Sequence, residues 1–124
     1  LEQAKLLALQ KLTENTSDPE SKSKFEWMIT SLKAVMNPVT VDEIILKNYA
    51  GTYDKRTITF ENGILYYTGR SKVKYQLIPI DESTFALKDL SAFRVKFVKD
   101  ASGNITELMG IYDDGHTDKS VRSN

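Results

Sequence analysis

The chain has 124 residues, enough to bury one modest hydrophobic core without staples, and its 17 lysines and arginines balance 17 aspartates and glutamates. That balance lacks the electrostatic footprint of a nucleic-acid or anionic-membrane binder. No cysteine is present, which excludes disulfides, thiolate metal sites and cysteine nucleophiles, and no apolar run approaches the roughly 20 residues of a spanning helix.

Residues Leu1 to about Thr13 are rich in Ala, Leu, Lys and Gln, strong helix formers, with Leu1, Ala4, Ala8 and Leu12 near helical spacing. Glu14 to Ser17 is polar and linker-like. A second helix is expected to start at Asp18-Pro19, with Asp18 as N-cap and Pro19 in the first turn; Ser17 with Glu20 is the alternative capping box. Phe25, Met28, Ile29, Leu32, Val35 and Met36 form its apolar stripe, and Asn37-Pro38 ends it. The helical pattern is already under way at Leu1, which predicts a longer parent polypeptide. Residues 1–37 therefore read as a helical hairpin or linker from an upstream domain, and residues 38–124 as a β-domain.

Thr40 and Glu43 fit a capping box before a short helical turn holding Ile44, Ile45 and Leu46. A brief aromatic strand, Tyr49 to Tyr53, follows, with Gly51 marking a bulge or close backbone approach. Two alternating runs, Arg56 to Glu61 and Ile64 to Thr68, flank Asn62-Gly63, the dipeptide suited to the two positive φ values of a type I′ turn. With those two residues as the loop, Glu61 faces Ile64, Phe60 faces Leu65 and Ile58 faces Tyr67. Ile58, Phe60, Leu65 and Tyr67 then share an inward face.

Lys74 to Ile80 places Tyr75 and Leu77 on one face, and Pro79 is expected at an edge or bulge because it donates no ladder bond. Asp81 to Ser83 turns the chain into Thr84 to Leu87. Phe93 to Lys99 alternates Phe93, Val95 and Phe97 against charged neighbours, Asp100 to Asn104 is a hairpin loop, and Ile105 to Tyr112 returns as its partner. Ile105 and Leu108 share a face only if a bulge intervenes. Asp113-Asp114-Gly115 turns into a polar edge strand, His116 to Arg122. The predicted fold class is α+β: an N-terminal α-helical hairpin packed on an antiparallel β-meander that curls into a small barrel or half-barrel of lipocalin-like (calycin-like) outline.

Candidate chemistry is sparse. His116, the single histidine, lies among Asp113, Asp114 and Asp118, but a hard-cation loop needs more oxygen ligands and zinc a second strong ligand, so neither a metal nor a cofactor is expected. No Gly-x-Ser-x-Gly elbow occurs, and the six glycines are scattered one per turn or strand instead of forming a phosphate loop. The six tyrosines are the most suggestive feature, since rings inside a small barrel fill its core or line a cavity. Tyr53, Tyr67, Tyr75 and Phe97 would line such a cavity. Tyr66 faces outward in the hairpin register and is a partner-contact candidate, as is His116 at its turn.

Leu46-x-x-Tyr49-x-Gly51-x-Tyr53, Glu61-Asn62-Gly63-x-Leu65-Tyr66-Tyr67, Leu77-x-Pro79, Phe85 and Arg94-Val95-x-Phe97-x-x-Asp100-x-x-Gly103 follow in order. With Leu108-x-x-x-Tyr112-Asp113-Asp114-Gly115, this spaced set resembles the C-terminal accessory β-domain of bacterial serine hydrolases. Asn37-Pro38-Val39-Thr40-Val41 and Tyr112 to Gly115 are most similar to the tails of Bacteroidetes-type tail-specific (carboxy-terminal-processing) serine peptidases. The resemblance covers about residues 36 to 122. It implies a non-catalytic domain of an exported enzyme, periplasmic, secreted or on the outer surface. It carries no active-site residue into this chain. The partner it implies is the catalytic domain of the same parent chain; the predicted edge position of His116 to Arg122, separately, would let that strand receive a polypeptide substrate by strand addition. A small-ligand-binding β-barrel with an aromatic-lined cavity is the alternative.

Overall fold

A computed structural model of the chain describes residues 1–123. Helices α1 (Glu2–Asn15) and α2 (Pro19–Met36) form the hairpin, and a short α3 (Glu43–Tyr49) leads into eight strands. These are β1 (Gly51–Tyr53), β2 (Arg56–Glu61), β3 (Ile64–Thr68), β4 (Lys74–Pro79), β5 (Thr84–Leu87), β6 (Leu90–Lys99), β7 (Ile105–Tyr112) and β8 (Thr117–Val121). Each strand pairs antiparallel with the next, in the order β1 to β8, giving a nearly closed barrel. The expected α+β fold, helical hairpin on meander, is the observed one.

Local chemistry explains most boundaries. The Asp18 carboxylate accepts from the Ser21 amide at 3.3 Å, so Asp18, not Ser17, caps α2. Asp42, not Thr40, caps α3 by accepting from the Ile44 amide at 2.8 Å. Tyr49, expected in the first strand, is the last residue of α3 because the helix carries the ring into the barrel. Asn62 and Gly63 have φ of 52° and 82°, and the hairpin pairs Glu61 with Ile64, Phe60 with Leu65 and Ile58 with Tyr67, the predicted register.

The bulge required to bring Ile105 and Leu108 to one face lies where the β6–β7 register shifts between Val98 and Lys99. Pro79 pairs with Phe85 as the last residue of β4, beyond the Lys74–Gln76 segment that pairs with β3, so its missing donor breaks no inner ladder.

The interior is full. Tyr49, Tyr53, Ile58, Leu65, Phe85, Val95, Phe97 and Leu108 are all essentially inaccessible to solvent. Tyr49 enters from α3 and stacks on Phe97 with centroids 4.0 Å apart, while Phe85 meets both rings edge-on. The end of the barrel covered by α3 is thus closed by side chains.

The helical hairpin sits on the outside of the sheet. Ala34 of α2 packs against Ile78 and Ala86, whose side chains leave the other face of β4 and β5. The Trp27 indole N–H donates to Ser91 O at 2.5 Å, and its ring lies 3.6 Å from the Arg94 guanidinium carbon. Arg94 donates to Trp27 O at 2.7 Å and Ser31 Oγ at 2.9 Å. The face of α2 against the barrel is therefore Trp27, Ser31 and Ala34, a spacing of i, i+4, i+7 that the apolar stripe does not mark. Met28 and Val35 stay 48% exposed. In α1 the buried residue is Leu6, whereas Leu1 and Leu12 of the predicted row are exposed, so that row was out of phase with the packing face.

Candidate functional site

The barrel closes unevenly, and its open end follows from that. β1 is only three residues long, and its link to the far edge is a bridge from Tyr53 to Arg122, supported by the Ser123 amide donating to Thr52 O at 2.9 Å. Past Tyr53 the chain turns away through Asp54 and Lys55 into β2. Beyond that point β8 has no backbone neighbour from β1, and side chains take over the closure.

Arg56 supplies most of it. It lies on the inward face of β2, two residues from buried Ile58, and its guanidinium crosses the seam to Asp118 of β8 in a bidentate pair, 2.7 Å to Oδ1 and 3.1 Å to Oδ2. Arg56 also donates to Tyr67 Oη at 3.1 Å and Ser120 Oγ at 3.2 Å, and lies over the Phe93 ring. Tyr112 Oη donates to Asp118 Oδ2 at 2.7 Å. The Arg56 hydrogen bond holds the Asp118 carboxyl below the usual range, and burial followed by that carboxylate pushes the Tyr112 hydroxyl up.

Gly110 makes the crossing possible. A Cβ there would lie 2.6 Å from Asp118 Oδ1, 2.9 Å from Phe93 Cε1 and 3.1 Å from Arg56 Nη2. Two adjoining clefts open around this cluster and share Arg56, Tyr67, Arg70 and Tyr112. The first, ≈440 Å³, is polar and includes Lys55 and Lys119; the second, ≈340 Å³, includes Tyr75, Leu90 and Phe93.

The tyrosines separate by position. Tyr67 and Tyr75 reach this mouth, Tyr67 through its hydroxyl. Tyr53 is completely buried, donating to Tyr49 O at 2.7 Å, with its hydroxyl pushed up to about 12 by burial; it is core, and so is Phe97. The aromatic cavity expected across Tyr53, Tyr67, Tyr75 and Phe97 is occupied by their own rings and Tyr49. Tyr66 faces outward as expected but is only half-exposed, because Lys74 lies 4.6 Å over its ring.

His116 stacks on Tyr112 at 4.0 Å and contacts the Asp114 carboxylate at 2.6 Å, which closes its own turn. No group of three or more metal-type ligands converges among the described residues. Arg56 and Arg70 were not singled out as site residues from sequence, whereas Asp118 was read only with His116, Tyr112 only among the six tyrosines and in the resemblance, and Gly110 only among the scattered glycines. Arg56 and Asp118 are 62 residues apart, and only the strand register places both inside. The available signal was polar Asp118 and Ser120 on the inward parity of the last strand.

No family model matches this chain, and neither a curated protein nor a solved structure matches it.

Proposed function

We propose that this chain is a non-catalytic accessory β-domain of an exported bacterial serine peptidase or hydrolase. It docks on the catalytic unit through its helical hairpin and helps position a polypeptide substrate. The observation that carries this reading is the apolar surface left on the hairpin after it has packed on the barrel. Leu7, Leu12, Met28 and Val35 remain about half exposed, at 55%, 50%, 48% and 48%, and an apolar groove between the helices and β5–β6 runs beside Met28 and Val35. The resemblance of residues 36 to 122 to peptidase tails supplies the occupant, a catalytic domain of the same parent chain. The reading frame upstream of Leu1 tests this directly. A serine hydrolase domain encoded there is the expected result; a secretion signal running straight into Leu1 overturns it.

Substrate positioning rests on the β8 edge. The Arg122 amide donates to Thr106 O at 2.8 Å, so by antiparallel alternation Val121 turns its N–H away from β7 and toward the seam, beside the Tyr53–Arg122 bridge. Val121→Pro removes that donor without removing a β7 ladder bond. Capture of an extended peptide should be lost in the variant while the circular dichroism spectrum is retained; unchanged capture by a folded variant would sink the strand-addition role.

The small-ligand reading keeps only the mouth of the barrel, where Tyr67 and Tyr75 meet the Arg56 cluster.

A further inference from the structure

We infer that the mouth of the barrel is a binding site for a small organic carboxylate with an apolar body, a site that goes beyond the docking reading and does not depend on it. The charges there are unequal. Asp118 is neutralised by Arg56, and both its oxygens are occupied, Oδ1 by Arg56 and Oδ2 by Arg56 and Tyr112. What remains around the polar cleft is Asp54 against Lys55, Arg70 and Lys119. The side chains of Arg70, Lys55 and Lys119 have no hydrogen-bond or ion-pair partner among the described residues, whereas nearby Lys74 is paired with Glu61. Cations without partners around one concavity raise the local anion concentration and suit a ligand that brings the missing charge.

Arg70 stands where the polar and apolar clefts meet. Its planar fork matches a carboxylate. On the other side of it, Tyr75, Leu90 and Phe93 offer an apolar bed without a second cation, Arg56 being already committed to Asp118. One charged end joined to an aromatic or aliphatic body fits this pairing better than a dianion. The two clefts, ≈440 and ≈340 Å³, are each of the size that holds a small ligand. The site is preformed, because Arg56, Tyr67, Tyr112 and Asp118 lock one another's positions and leave Arg70 as the adaptable group.

Titration of the isotope-labelled chain with 3-phenylpropionate, followed by amide and tyrosine-ring NMR shifts, tests this. Saturable shifts confined to Tyr67 to Arg70, Gly110 to Tyr112 and the Tyr75 ring are expected. The neutral 3-phenylpropanol should bind at least roughly tenfold more weakly, as loss of one charge-assisted pair implies. Decanoate in a parallel arm distinguishes an aliphatic from an aromatic body. Arg70→Gln should weaken binding by a similar factor, and because Arg70 is exposed and makes no hydrogen bond or ion pair among the described residues, the variant keeps the fold. Absence of saturation by either carboxylate, equal binding of the alcohol, or unchanged affinity in both Arg70→Gln and Lys119→Gln overturns the proposal.

Discussion

At Gly110 the absence of a side chain is dictated by crowding, since the guanidinium, carboxylate and ring that close the seam occupy the space a methyl group needs. Gly110→Ala must therefore displace Arg56, Phe93 or Asp118. A loss of about 1–3 kcal/mol is expected from such overpacking, read as a lower denaturation midpoint. Asp118 makes the same cluster pH-sensitive. Its folded pKa is depressed, first by the Arg56 hydrogen bond, so it contributes stability above the ordinary carboxylate value of 3.8 that is lost as pH falls through the lower folded value. Urea unfolding of Arg56→Met between about pH 2 and 6 should show a flatter acid limb than the parent chain; an equal slope would place the acid sensitivity in other carboxylates.

Between elements, the contact of α2 with β6 depends on a pairing of unusual cost. Among the described residues Arg94 has no carboxylate paired with it and its Nε has no hydrogen-bond partner, and burial alone pushes its guanidinium down to about 10. The Trp27 ring and two oxygen acceptors from α2 are what make that charge tolerable where it is. Trp27→Ala removes the ring and the bond to Ser91 together, and should cost roughly 2–4 kcal/mol, below a fully buried tryptophan because Trp27 is only partly buried. Arg94→Met should cost far less or stabilise, since it removes a buried charge with its desolvation penalty while keeping an unbranched stem for the ring to cover. Chemical denaturation of the two variants side by side distinguishes them; equal losses would mean that the guanidinium hydrogen bonds, not the ring contact, hold the hairpin.

Over the whole molecule, the barrel is strongest away from its seam. The β6–β7 ladder runs from Phe93–Tyr112 to Lys99–Ile105, whereas among the described residues β1 meets the far edge through the isolated Tyr53–Arg122 bridge and the Ser123 contacts in place of a ladder. Native-state hydrogen exchange should find β1 and residues 122 to 123 opening at lower free energy than β6 and β7. Uniform protection around the barrel would show that the Arg56–Asp118 pair closes the seam as firmly as a ladder. The seam is the outer edge of β8 and borders the mouth, so the proposed peptide and carboxylate sites both lie beside the part of the barrel expected to open first.

Much of this architecture was legible locally. Asn62-Gly63 specified a hairpin and its register because two adjacent positive φ values admit few residues. Phe93, Val95 and Phe97 specified a buried face because a strand has a period of two, and Asp18-Pro19 specified a helix start because its first amides need an acceptor. The tertiary structure alone decided which helical face met the sheet: the small side chains Ser31 and Ala34 let α2 approach, and an apolar stripe does not reveal how close two backbones must come. It alone filled the barrel, by bringing Tyr49 in from a helix. It alone assembled the mouth, because Arg56 and Asp118 become neighbours only when an eight-strand sheet curls far enough for its first and last strands to meet.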